Sequence, residues 1–282
     1  MSGTEIYGPV VGRTRKPLKR TVFVCLFLMV ALVGCITEPF TGRRTLQLIP
    51  EGQLNQMGVD AYQQILTDAK ISTDAANTAM LRRVGERIAA VVDPMMAEDG
   101  RPPFEWEFTL IDDPNTVNAF ALPAGKIAFY SGILPVCGDE TGVAVVMGHE
   151  VAHAYAGHGN NRMSTQVVTQ YGLAAAAAAL SGDGDSEITQ LSLAALGVGS
   201  QLGSLAFGRH DESAADEIGL VVMARAGYDP RQAAAFWKRM SELSGGQAPP
   251  EFLSTHPSHP TRIRDIEEKL PEALKEYEKS SK

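Results

Sequence analysis

Residues 149–153 read His-Glu-Val-Ala-His, and no other stretch restricts the fold as much. Two histidines four apart on a helix lie roughly 40° apart around its axis, so both imidazoles leave the same face. That is the geometry of two nitrogen ligands to one zinc ion. The glutamate after the first histidine, Glu150, then stands beside the metal, where it can take a proton from water. Val143, Val146, Met147, Val151 and Ala154 flank the motif at helical spacing, which places it on a buried helix. The pattern points to metal-assisted hydrolysis, most often of a peptide bond.

A catalytic zinc needs a third protein ligand. His158 follows His149 by nine residues, half a turn round one continuous helix, so it points away and reads as a helix-end residue. The better candidate lies in Asp211-Glu-Ser-Ala-Ala-Asp216. There Glu212 and Asp216 share a helical face. Glu212 can bind the metal while Asp216 accepts the outer N–H of a ligand histidine and fixes its tautomer.

The N-terminus reads as an address. The first 34 residues hold five basic groups (Arg13, Arg15, Lys16, Lys19, Arg20) and one acid, Glu5, although the whole chain carries a net charge of −8. The acidic total argues against nucleic acid as a partner. Thirteen mainly apolar residues, Thr21 to Val33, are too few to span a bilayer comfortably but suit the apolar core of a signal peptide. Leu32-Val33-Gly34-Cys35 resembles a bacterial lipobox, cut before a cysteine that is then lipidated; an uncleaved anchor is the plainer alternative. Ile36 in place of aspartate favours the outer over the inner membrane by analogy. The expected organisation is a signal at 1–34, a lipidated tether at 35–50 held to the membrane through Cys35, and one catalytic domain at 51–282. The expected location is the periplasmic face of the outer membrane. Only Cys137 then remains in the mature chain; with no partner for a disulfide, it reads as a small buried hydrophobe.

Apolar spacing predicts helix from Glu51 to about Val92, with Pro94 and Pro102-Pro103 marking a loop. Alternation predicts strands at Phe104–Leu110, Asn118–Leu122 and Lys126–Ser131. Helices are predicted from Gly138-Asp139 to Gly157 or Gly159, over Tyr171–Leu180, from Asp211 to Ala226, from Asp229-Pro230 through Trp237, and from Pro260 onward. Residues 188–207 are small and apolar, and read as tightly packed or membrane-apposed helices.

The two motifs together, with Asn118-Ala-Phe-Ala-Leu-Pro before them and Thr255-His-Pro-Ser-His-Pro-Thr-Arg262 after them, resemble the zinc metallopeptidases that include the CAAX prenyl endoprotease and HtpX. With Pro39-Phe-Thr-Gly-Arg-Arg44 after the cysteine, the chain is similar to their periplasmic lipoprotein branch. The resemblance implies a mostly helical α+β fold of gluzincin type, with a small sheet beside the active-site helix. It implies one Zn2+ per chain on His149, His153 and Glu212, Glu150 as general base, Asp216 and Arg209 supporting the ligands, and protein or peptide substrates. Asn118, Tyr130, His256 and Arg262 are candidates for oxyanion or substrate contacts, and His256 or His259 for a fourth metal donor that would leave the enzyme latent. The expected function is endoproteolytic quality control of envelope proteins. The alternative is a chaperone-like outer-membrane assembly factor with a latent or regulatory zinc site.

Overall fold

A computed structural model of the chain describes residues 35–38, 40–181, 207–243, 250–257 and 261–280, with side chains for all of these except 35 and 170–181. Residues 1–34, expected to be a signal, most of the small-residue segment and His259 lie outside the described residues.

A short antiparallel hairpin opens the described chain, β1 (Cys35–Thr37) against β2 (Arg44–Leu46). Helices α1 (Glu51–Asp68) and α2 (Ala75–Glu98) follow. The apolar pattern over this region hides the break between them. Asp74 makes it, accepting the Asn77 N–H at 3.0 Å as the N-cap of α2. Contrary to expectation, α2 runs through Pro94 to Glu98. Proline forfeits one backbone hydrogen bond there, and burial of Met95 and Met96 offsets the loss.

The sheet comprises β3 (Glu107–Ile111), β4 (Ala119–Leu122) and β5 (Lys126–Tyr130) in the order β3-β5-β4. β5 pairs parallel with β3 and antiparallel with β4. β3 starts later than alternation suggests, because Phe104 and Trp106 pack their rings edge to face, 5.1 Å apart, before the strand begins.

After the short α3 (Leu134–Cys137), α4 (Glu140–Tyr155) carries the zinc motif. Asp139 caps it by accepting the Gly142 N–H at 2.9 Å. Almost every side chain of α4 is buried, as expected of a helix that is apolar all round. Gly157, at φ 69°, then turns the chain into α5 (His158–Ser181). The remaining helices are α6 (Arg209–Arg225), α7 (Gln232–Leu243), α8 (Glu251–Thr255) and α9 (Arg262–Ser280). The fold is mostly helical α+β, as expected. No helix among the described residues is long and apolar enough to cross a membrane.

α4 packs between α6 and β4, with α2 and α7 also against it. Its closest neighbour is α6, and the crossing is glycine on glycine. A Cβ at Gly148 would sit 2.9 Å from the Gly219 carbonyl oxygen, and one at Gly219 would sit 3.0 Å from Gly148 backbone. This approach brings the face of α4 that bears His149 and His153 against the face of α6 that bears Glu212 and Asp216. Gly219→Ala forces the helices apart and is expected to cost about 1–3 kcal/mol, as overpacking does. The readout is a lower urea midpoint at unchanged slope; an unchanged midpoint would contradict the close crossing.

Cys137 is 2% exposed, and burial pushes its thiol up to about 12. It is therefore held as the unreactive thiol. Peptide mapping after alkylation at mildly alkaline pH should find Cys137 unmodified in the native protein and modified once the protein is unfolded.

Candidate metal centre

The side chains of His149, His153, Glu212 and His256 converge, each offering one donor atom, and all four atoms lie within 4.8 Å of one another. His153 Nε2 is 3.2 Å from His149 Nε2, and His256 Nδ1 is 3.3 Å from the same atom. Glu212 Oε1 is 3.1 Å from His256 Nδ1 and 3.5 Å from His153 Nε2, and its Oε2 is 3.5 Å from His149 Nε2. All four residues are buried. Three imidazoles and a carboxylate, with no thiolate, are a donor set that suits zinc.

Three elements hold the four donors. His149 and His153 come from successive turns of α4 and Glu212 from the first turn of α6. His256 caps the C-terminus of α8, where its N–H donates to the Phe252 carbonyl at 2.8 Å and its ring stacks on Phe252 at 4.5 Å. Phe207 stacks on His153 at 3.9 Å and anchors its own N–H on the Thr255 carbonyl at 2.9 Å.

Around the donors lies a shell of charge. Asp216 Oδ1 is 2.9 Å from His149 Nδ1. Arg262, 1% exposed, donates to Glu212 Oε2 at 2.7 Å and to Asp216 Oδ1 at 2.8 Å, and lies 3.3 Å from the centre of the Trp237 ring. Burial alone would raise the Glu212 carboxyl, but hydrogen bonds from His149, His153 and His256 outweigh it and hold the group far below the usual carboxylate range. Asp216 is also lowered: burial opposes ionisation, and the Arg262 charge and the His149 hydrogen bond overcome it. Burial works against a charged His149, yet Asp216 and Glu212 raise it to about 9. His153, where burial dominates, is pushed well below its ordinary value.

Glu150 lies beside the cluster and is itself buried. Its Oε2 accepts the Ala121 N–H from β4 at 3.2 Å. Among the described residues its Oε1 is buried without a hydrogen-bond partner, and His256 Nε2 stands 3.3 Å from it. Burial raises the carboxyl. A cleft of about 630 Å³ reaches the cluster at His153, between Ala121–Pro123 and Leu48–Glu51.

Several residues singled out by sequence stand elsewhere. Arg209 is exposed at the start of α6, and none of the contacts described around the cluster involves it. Asn118 Nδ2 donates to Glu251 Oε1 at 3.3 Å, and the Tyr130 ring packs near Phe120 at 6.3 Å. Arg262 is committed to two carboxylates. Cys35 opens β1, and its side chain lies outside the described residues. His158 is not among the converging donors and stands at a helix end, as expected, but it does not point away. The angular argument assumed one continuous helix, but Gly157 breaks it, and His158 Nδ1 lies 3.0 Å from His153 Nδ1. A glycine between two helical patterns was the signal for that break. Arg43, Glu38 and Trp237, which also buttress the site, were not foreseen, because only the tertiary fold brings them there.

A family profile described as Peptidase family M48 matches residues 82–270. The chain is 39% identical to the mitochondrial metalloendopeptidase OMA1 of Schizosaccharomyces pombe over 86% of its own length and 68% of the relative's. It is 33% identical to the mitochondrial metalloendopeptidase OMA1 of Danio rerio, over 84% of its length and 50% of the relative's. The beta-barrel assembly-enhancing protease of Escherichia coli is 27% identical over 81% of this chain and 46% of the relative. The chain thus spans about half the length of the latter two relatives. The mitochondrial relatives have the higher identities and do not fit a lipoprotein on the periplasmic face of a bacterial outer membrane, so that expectation is corrected. It rested on a basic and apolar N-terminal stretch, the residues around Cys35 and an analogy for Ile36, signals far less specific than the zinc motif. The family match and the convergence of a His-Glu-x-x-His helix on a distant glutamate agree: the chain belongs to Peptidase family M48 and is a zinc metallopeptidase.

Proposed function

We propose that the chain is a zinc-dependent endopeptidase that cleaves misfolded or misassembled proteins. The observation that carries the catalytic reading is Glu150. It is a buried carboxylate against the ligand cluster, with one oxygen tied to β4 and the other aimed at the cluster without a hydrogen-bond partner among the described residues. The quality-control reading is the one expected from sequence for envelope proteins; the bacterial relative's name, a beta-barrel assembly-enhancing protease, fits the alternative of an outer-membrane assembly factor. The mitochondrial relatives, named as metalloendopeptidases, support internal cleavage of a polypeptide.

His149, His153 and Glu212 would hold the zinc, with Asp216 fixing the His149 tautomer. When bound, zinc supplies Lewis acidity to the attacking water and to the scissile carbonyl. The Ala121 N–H pins Glu150 Oε2, so Oε1 is the oxygen that takes the water proton as the water attacks. Glu150 then returns that proton to the leaving amine. Among the described residues β4 pairs on one side only, with β5, and Ala121 and Leu122 line the cleft. An extended substrate segment can lie along that edge by main-chain pairing. Glu150→Gln keeps the shape but removes the base. It should lower kcat/KM on an unfolded protein substrate by about 10²–10⁴-fold while leaving bound zinc in place. Equal, chelator-sensitive cleavage by both proteins would refute the role.

His256 supports two readings. Its Nε2, beside Glu150 Oε1, is placed to donate to the developing oxyanion. Its Nδ1, among the donor atoms, is placed to fill the fourth metal position, which would close the site and leave the enzyme latent. His256→Ala separates them at retained zinc. The first reading expects a loss of about 10²–10³-fold in kcat, the second a gain in cleavage. Unchanged activity would reject both.

A further inference from the structure

The two histidines of α4 differ in how their outer nitrogens are held. His149 Nδ1 meets a carboxylate directly, Asp216. His153 Nδ1 meets a second imidazole, His158 Nδ1, at 3.0 Å. Between two ring nitrogens this close, one donates and the other accepts. With Nε2 turned to the donor cluster, His153 keeps its proton on Nδ1 and donates it. His158 Nδ1 therefore accepts, and His158 carries its own proton on Nε2. Among the described residues that nitrogen is buried without a hydrogen-bond partner, and the carboxylate oxygen facing it is Glu38 Oε1 at 3.5 Å.

Glu38 is only 1% exposed, at the turn of the β1–β2 hairpin. Its carboxylate accepts from Thr41 Oγ1 at 2.5 Å and from Arg43 Nη2 at 3.0 Å. Burial opposes its ionisation, and His158, Thr41 and Arg43 outweigh it and lower the carboxyl. Arg43 also pairs with Asp211, the residue before Glu212 on α6. A single hairpin thus touches the supports of two donors on different helices. Nothing in the hydrolytic reading uses these groups, yet burying them is costly unless they act together.

We propose that Glu38 is a positioning residue for the zinc site, holding His158, and through it His153, in the tautomer that leaves His153 Nε2 free for the metal. Arg43 fastens the same hairpin to the first turn of α6. The inference rests on His153 being a zinc ligand.

The test measures zinc affinity of the full chain by competition with a chromophoric chelator, and the visible absorption of the Co2+-loaded protein. Glu38→Gln, which keeps shape but not charge, should weaken zinc by about 10–100-fold and shift the Co2+ spectrum. In a His158→Phe background the same substitution should weaken zinc no further, because its route to His153 is already cut. Wild-type affinity and spectrum in Glu38→Gln would overturn the inference. So would losses that multiply independently in the double variant, since a merely structural carboxylate would give that result. If the wild-type chain bound no zinc, the metallopeptidase reading would fail with it. Tight wild-type binding indifferent to Glu38→Gln would reject this inference alone.

Discussion

The structure depends on keeping charge stable in a buried site. Glu150 and Glu212 are buried together with three histidines and Arg262, and Asp216 sits at the edge of the same group. An isolated carboxylate in such surroundings would neutralise rather than stay charged. Here Glu212 stays ionised because imidazoles and a guanidinium surround it, and Arg262 is itself supported by the Trp237 face. Replacing one member leaves the others uncompensated, so the cluster acts as a unit. A divalent cation among the donors adds positive charge where three carboxylates meet, the compensation such a group requires.

That requirement explains the shape of the fold. Donor atoms within 4.8 Å demand that two helices approach more closely than ordinary side chains allow, and Gly148 against Gly219 provides it. The small sheet gives α4 a second wall and supplies the Ala121 N–H that orients Glu150. The aromatic rings of Phe207, Phe252 and Trp237 enclose the imidazoles and keep water from competing with the hydrogen bonds.

The parts legible in the sequence were those carried by local spacing. Four-residue intervals put His149 with His153, and Glu212 with Asp216, on common helical faces; alternation found the three strands to within a few residues. Contacts between distant segments carry no such signal. Arg262 was seen only as an oxyanion or substrate candidate, and its commitment to Glu212 and Asp216 appears once α9 is folded against α6. The contact of His158 with His153 was lost to an angle computed through a helix that Gly157 ends. The break at Asp74 was masked because apolar spacing continues across it, and α2 outlasts Pro94 because its last turn is packed. The outer-membrane location read from the residues around Cys35 was overturned by the relatives. It concerns recognition of a short segment rather than packing, and the catalytic helix carries no information about it.

The measurement that tests the central claim most directly is the metal stoichiometry of the full chain by native mass spectrometry. The account predicts one zinc per chain in the wild type and none when His149 and His153 are both replaced by alanine in a protein that remains folded. A wild-type chain that binds no zinc, or a double variant that keeps it, would contradict the account.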